Sequence, residues 1–166
     1  MTMADLKWLD YSGESIDQLL SLEGEYRIDS LVVACEQAIW QKVAREEESS
    51  LSDPEGIVLA IEGLEREVNN GGYQQFLLNT PVFAPIIVHS LARIGCTKTA
   101  EITQKALDVL RLPKLAPKTI EAVMAEDKPE RDEELDRCDR LYYEAGEDIS
   151  GRLFEFIKAN RSVFKS

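Results

Sequence analysis

Two adjacent glycines at the end of a long helical pattern constrain this chain more than any other feature. Before them, apolar residues recur at spacings of four, three and four, which places them in one stripe along a helix. These residues are Ile57, Ile61, Leu64 and Val68. Glycine can adopt the left-handed conformation that ends a helix, and asparagine tolerates it better than most residues. Because Tyr73 and Phe76 resume a helical spacing at once, we expect a sharp corner between two helical segments.

We interpret this corner as a structural motif. The glycines permit a reversal of the chain, and the two aromatic residues after them are expected to anchor the returning helix in the core. No Lys-Ser/Thr pair follows the glycines and no strand precedes them, so a phosphate-binding loop is not indicated. The motif consists of Asn69, Asn70, Gly71, Gly72, Tyr73 and Phe76.

The rest of the chain also carries helical patterns, and no segment shows the sustained alternation of a strand. We expect an all-α fold, a single compact domain of about eight helices over residues 1–166, with residues 1–14 as an irregular lead-in. The sequence Ser52-Asp53-Pro54-Glu55 predicts the start of the central helix, with Asp53 as its N-cap. A chain of 166 residues is long enough to bury a core of its own.

Composition favours a cytoplasmic protein. No run of about 18 apolar residues is present, and the first residues lack the charged-then-apolar pattern of a signal peptide. The three cysteines, Cys35, Cys96 and Cys138, are odd in number and widely spaced. They are therefore expected to be reduced thiols in a cytoplasmic compartment.

The charge is strongly acidic and unevenly distributed. The formal net charge is −12. Residues 1–83 carry 16 acidic and 5 basic side chains, and residues 121–148 carry 12 acidic and 4 basic ones. The stretch between these two blocks is basic. Such a charge repels nucleic acid and anionic membranes and attracts basic protein surfaces, so we expect no direct nucleic-acid partner and no membrane partner.

The sequence offers little for catalysis, and we expect that the protein is not an enzyme. His89 is the only histidine, and a lone histidine in a largely apolar helix is typically packed. Zinc sites need local Cys/His spacings that are absent, and helical di-metal sites need Glu-x-x-His twice. Glu62/Glu65 and Asp132/Asp136 could act as acid and base, but nothing distinguishes them from an acidic surface. We expect no catalytic residues, metal or cofactor.

Two rows of carboxylates are candidates for binding a basic partner, because side chains at i, i+3 and i+4 share a helix face. The denser row is Glu130, Asp132, Glu133, Glu134, Asp136 and Asp139, continuing to Glu147 and Asp148. Three arginines interrupt it, Arg131, Arg137 and Arg140, and ion pairing within the helix is the simplest explanation of the pattern. The second row is Glu46, Glu47 and Glu48 with Glu62, Glu65 and Glu67.

The segment Glu67 to Asn79 reads Glu-Val-Asn-Asn-Gly-Gly-aromatic-x-Gln-Phe-x-x-Asn. It resembles the signature of the small acidic bacterial DNA-mimic proteins, a family of mostly uncharacterised members. The resemblance extends over most of the chain, through Tyr26 with Asp29, His89 to Gly95, Leu135-Asp136, Tyr142-Tyr143 and Phe154 with Phe156. It implies an all-helical fold, commonly a homodimer, and an acidic surface that stands in for DNA.

Three functions follow as hypotheses. The first is a DNA mimic that binds the basic DNA-binding surface of a bacterial transcription regulator, or of another DNA-binding protein, and blocks its DNA occupancy. The second is an acidic immunity or antitoxin-like protein that neutralises a basic effector. The third is a small-ligand binder or enzyme at the corner Asn69–Tyr73, which would need a deep polar pocket there containing Asn70, Tyr73 and Gln75.

Overall fold

The helical patterns of the sequence form eight α-helices in a computed structural model, which describes residues 5–46 and 51–164. They are α1 Ile16–Leu20, α2 Ile28–Glu46, α3 Asp53–Asn79, α4 Ala84–Arg93, α5 Thr97–Asp108, α6 Pro117–Met124, α7 Pro129–Ala145 and α8 Ile149–Ala159. Short 3₁₀ turns at Pro81–Phe83 and Arg161–Phe164 precede α4 and follow α8. The described residues contain isolated bridges but no β-strand, which confirms the all-α fold and the expected number of helices.

The chain divides into two compact units. The first contains residues up to Glu62 and from Asp148 onward, and the second contains Gly63–Glu147. Helix α3 therefore begins in one unit and ends in the other. The grouping of residues 1–166 into one domain stays a prediction, as does the irregular lead-in at residues 1–14.

In the first unit, α2 packs against α1 and α8. Helix α1 begins at a capping box between Ser15 and Gln18, and α3 begins at a second one. There the backbone N–H of Ser52 donates to Glu55 Oε1 at 2.9 Å, and the N–H of Glu55 donates to Ser52 Oγ at 3.3 Å. The cap of α3 is therefore Ser52, and the prediction of Asp53 was wrong because the residue three positions before Glu55 completes the box.

The second unit is built around α5, which packs against both α4 and α7. Helix α6 packs against the 3₁₀ turn at Pro81–Phe83. Buried apolar side chains from every helix of this unit form its interior. These include Leu64, Val68, Tyr73, Phe76, Leu77, Ile87, Leu91, Leu107, Ile120, Leu135 and Tyr142.

Among the described residues, no single helix is both long and apolar enough to cross a membrane. Helix α3 together with Pro81–Arg93, a bent pair, has the necessary length and composition, as buried core helices also do.

Candidate functional site

The corner after Val68 is formed by two glycines with non-helical backbone. Gly71 has φ −161° and ψ 19°, an extended φ that any residue can adopt. Gly72 has φ 75° and ψ −173°, a combination open to glycine and to almost no other residue. The break in the helix at this corner therefore depends on Gly72 in particular.

A carboxylate from α7 lies against this corner. The backbone N–H of Tyr73 donates to Asp139 Oδ1 at 2.8 Å, and these residues are 66 positions apart. A Cβ atom added to Gly72 would lie 2.2 Å from Asp139 Oδ2. The helical segment after the corner begins at Tyr73, so Asp139 satisfies one of the N–H groups that a helix N-terminus leaves unpaired. The absence of a side chain at Gly72 would let a ligand approach the backbone closely, but the Asp139 carboxylate occupies this position.

The aromatic residues after the corner are packed inside the second unit. Tyr73 and Phe76 are both 0% exposed. The hydroxyl of Tyr73 shares a 2.7 Å hydrogen bond with Thr103 Oγ1, and its ring meets that of Tyr142 edge to face at 5.9 Å. Burial raises the pKa of Tyr73. Because Thr103 and Tyr142 contact the Tyr73 side chain, Tyr73 does not line the deep polar pocket that a ligand at the corner would require.

Polar side chains join the two sides of the corner. Gln75 Nε2 and Asn79 Nδ2, which follow the glycines, donate to Glu67 Oε2 at 2.7 and 3.0 Å. Asn69 Nδ2 donates to the backbone oxygen of Glu65 at 2.6 Å. These bonds fix the geometry of the turn, which supports the interpretation of the motif as structural.

Glu65 is the most strongly perturbed carboxyl group of the corner. It is half-buried, and the hydroxyl of Tyr142 donates to its Oε2. Burial disfavours the charged carboxylate and raises the pKa of Glu65 to about 7, while the hydrogen bond of Asn69 acts in the opposite direction. The group is therefore protonated in the folded protein at a pH at which an ordinary glutamate is ionised.

This shift predicts a pH-dependent stability. Between the ordinary pKa of 4.5 and about 7, the folded chain binds a proton that the unfolded chain has released, so rising pH destabilises the fold through this group. Glu65→Gln keeps an acceptor for Tyr142 but cannot ionise. We expect the variant to gain on the order of 2 kcal/mol over the wild type at pH 8, a gain that disappears at acidic pH.

The measurement is urea denaturation of both proteins across a pH series. Glu101→Gln, at an exposed position on α5, is the matched control and should give a curve parallel to that of the wild type. Parallel curves for Glu65→Gln and the wild type would show that Glu65 titrates like an exposed glutamate.

Two further nominated carboxylates cap helices. Glu147 Oε1 accepts from the backbone N–H of Thr99 at 2.7 Å and from its hydroxyl at 2.8 Å, which caps α5 from a distant part of the second unit. In the first unit, Asp148 Oδ1 accepts from the N–H of Gly151 at 3.0 Å and caps α8. Their negative charges lie at helix N-termini, where the helix dipole favours them.

The outward side of α7 is more acidic than the sequence suggests, because Arg131 does not interrupt it. Arg131 is buried and donates to the backbone oxygens of Val123 and Glu126 at 2.7 and 2.8 Å, where it caps the end of α6. It also pairs with Asp132 at 3.1 Å. The expectation that Arg131 lies within the acidic row was therefore wrong.

The exposed carboxylates of the first half of α7 are Glu130, Glu133 and Asp136, which we name the α7 acidic face. Arg137 and Arg140 follow them and are also exposed. Within the described part of the chain, no salt bridge joins the α7 acidic face to either arginine. Within α7, ion pairing therefore involves Asp132 of the row, through Arg131, and does not account for the α7 acidic face.

The structure separates the other nominated carboxylates by burial. Glu46 and Asp148 are exposed, whereas Glu65, Glu67, Asp132, Glu134, Asp139 and Glu147 are half-buried. Glu62 is only 5% exposed, so it offers no surface to a partner. Glu47 and Glu48 lie outside the described residues. The second row is therefore not exposed as a whole, because Glu62 is buried and Glu65 and Glu67 are half-buried.

The remaining candidates for chemistry are dispersed. His89 is exposed on α4, so the expectation that it is packed was wrong. Cys35, Cys96 and Cys138 are buried and form no disulfide, and burial raises the pKa of Cys35 to about 12. In residues 5–46 and 51–164, no group of three or more His, Cys, Asp or Glu side chains is arranged to hold a metal ion.

These features define an all-helical acidic protein. Its sequence motif forms a corner at which Asp139 of the same chain caps the following helical segment. Residues 49–160 match the model of the DMP19-like protein family. The match covers more than half of the chain, and the chain belongs to the DMP19-like protein family. This finding corrects the assignment made from Glu67 to Asn79, since the match shows this specific family and not the wider DNA-mimic grouping. No curated protein matches the chain.

Proposed function

We propose that the protein is a non-enzymatic interaction protein. Its α7 acidic face binds the basic DNA-binding surface of a bacterial transcription regulator, or of another DNA-binding protein, and thereby blocks DNA occupancy. The observation that carries the proposal is the inward turn of Arg131, which leaves Glu130, Glu133 and Asp136 exposed in succession without a basic side chain between them.

The spacing of this face is compatible with the charge spacing of a nucleic-acid strand. Three residues of an α-helix rise by about 4.5 Å, and the side chains of such a pair lie about 5–6 Å apart. Each strand of duplex DNA carries one charge per about 3.4 Å. A basic surface shaped for phosphates could therefore meet the α7 acidic face at somewhat lower charge density, with Asp132 and Glu134 half-exposed beside it.

The proposal is tested by capture of partners from a bacterial lysate on the immobilised full chain, with elution by a salt gradient. We expect one DNA-binding protein to be retained, to elute as salt screens the charges, and to be displaced by duplex DNA in competition. Capture of a basic toxin would favour the immunity function. A captured protein that duplex DNA does not displace, or an empty column, would contradict the proposal.

A further inference from the structure

Among the exposed large apolar side chains of the second unit, three recur four residues apart along the chain. They are Leu78 at the end of α3, Val82 in the 3₁₀ turn and Ile86 in α4, with exposed fractions of 52%, 56% and 40%. We name them the α3–α4 patch. Their neighbours Leu77, Ala84 and Ile87 are buried, so the exposure is not a property of the whole segment. Exposed apolar groups that adjoin one another are typical of interaction sites.

A small cleft adjoins the patch and gives it a charged end. The cleft has a volume of about 240 Å³ and is lined by Gln74 and Leu78, by Met124 and Ala125 at the end of α6, and by Glu126, Asp127, Arg131 and Asp132. Helix α6, whose last residues line the cleft, packs against the 3₁₀ turn that contains Val82. The cleft therefore adjoins the patch at Leu78, which belongs to both.

The charged residues around the cleft indicate which kind of side chain could bind there. Glu126 pairs with Lys128 at 3.0 Å, and Asp132 pairs with Arg131 at 3.1 Å. The carboxylate of Asp127 is exposed and forms no ion pair or side-chain hydrogen bond with the described residues. A cationic group that entered beside the apolar wall of Leu78 and Met124 would meet Asp127, and a long basic side chain has both the apolar stem and the charged end for this environment.

We propose that the α3–α4 patch and this cleft form a docking surface for a basic amphipathic helix of a partner protein. Apolar side chains at i and i+4 of that helix pack on Leu78 and Val82, and one Lys or Arg side chain enters the cleft toward Asp127. The inference rests on the proposed function, because it specifies the kind of element that a basic DNA-binding partner presents. It adds a second, apolar contact surface to the α7 acidic face.

The test uses a labelled amphipathic helical peptide of leucine and lysine, and a second peptide of the same composition whose leucines form no stripe. We measure fluorescence anisotropy against the full chain. The stripe peptide should bind, and Leu78→Asp and Val82→Asp should each weaken its binding by about tenfold or more. Asp127→Asn should weaken it by a smaller factor. Val163→Asp, at an exposed apolar position of the first unit, is the matched control and should leave binding unchanged.

Circular dichroism of each variant establishes that it is folded, and methyl shifts of Leu78, Val82 and Ile86 on peptide addition locate the contact. Equal binding of both peptides, or binding that Leu78→Asp does not weaken, would overturn the docking surface. Sedimentation is the second measurement. Self-association of the wild type that Leu78→Asp abolishes would assign the patch to a second copy of this chain and also overturn the inference.

Failure of this inference and failure of the proposed function are distinguishable. A lysate partner that binds Leu78→Asp as tightly as the wild type, and is displaced by DNA, would remove the docking surface and leave the function standing. Binding of the stripe peptide at the patch without any DNA-binding partner in the lysate would do the reverse.

Discussion

Gly72→Ala should destabilise the protein by roughly 2–4 kcal/mol. Alanine at φ 75° and ψ −173° carries backbone strain of about 1–3 kcal/mol. Its Cβ would also lie 2.2 Å from Asp139 Oδ2, so the carboxylate must leave the N–H of Tyr73. Loss of that cap adds about 1 kcal/mol or more. Urea denaturation followed by circular dichroism measures the change.

Gly56→Ala, in the same helix, is the matched control. A Cβ at Gly56 would meet no atom within 4 Å, and alanine favours helix over glycine by up to about 1 kcal/mol. This variant should therefore be as stable as the wild type or more so. Gly71→Ala should fall between the two, because the φ of Gly71 carries no strain, whereas the added Cβ would lie 2.1 Å from Gln75 Oε1. A Gly72→Ala protein as stable as Gly56→Ala would refute the account of the corner.

The triple variant Glu130→Lys, Glu133→Lys and Asp136→Lys should lose binding to a captured DNA-binding partner by about 100-fold or more at low salt. Each substitution replaces an attraction to the basic surface with a repulsion, and exposed charges of this kind act chiefly on the association rate. Raising the salt concentration should reduce the difference between the variant and the wild type, because it screens both effects. Surface plasmon resonance across a salt series measures the rates and the affinity.

A control with the same change in net charge separates the local effect from the global one. Asp10→Lys, Glu25→Lys and Glu101→Lys replace three exposed carboxylates, none of which is on α7. This variant should retain most of the affinity of the wild type. An equal loss in both variants would mean that overall charge determines binding, and the α7 acidic face would lose its assignment.

Local sequence pattern was sufficient for the helices and for the position of the corner. Helical spacing indicated the all-α fold and the central helix, and Gly71-Gly72 marked the break because glycine readily adopts the positive φ that Gly72 has. The burial of Tyr73 and Phe76 followed from the same spacing. These properties depend on residues that are close together in the chain.

Contacts between residues that are distant in the chain could not be predicted from local sequence pattern. Asp139 and Glu147 sat among other acidic residues of α7 and its end, and nothing in that row marked them as caps for helices 66 and 48 positions away. Arg131 looked like its exposed neighbours, although its spacing of four from Leu135 matches the buried stripe of α7. Glu55, a second buried charged residue, likewise lies four positions before a buried leucine, Leu59. A charged residue in register with a buried stripe is the sign that could have revealed both.

The division of carboxylates between interior and surface changes how acidity should be compared among relatives. Glu36, Glu55 and Glu62 are buried, so they count toward the net charge of −12 without being exposed to a partner protein. Under the proposed function, two DMP19-like proteins with the same isoelectric point differ in their capacity to compete with DNA when they expose different numbers of carboxylates. The informative comparison is the number of carboxylates at the positions equivalent to Glu130, Glu133 and Asp136, together with an inward-facing arginine at the position of Arg131.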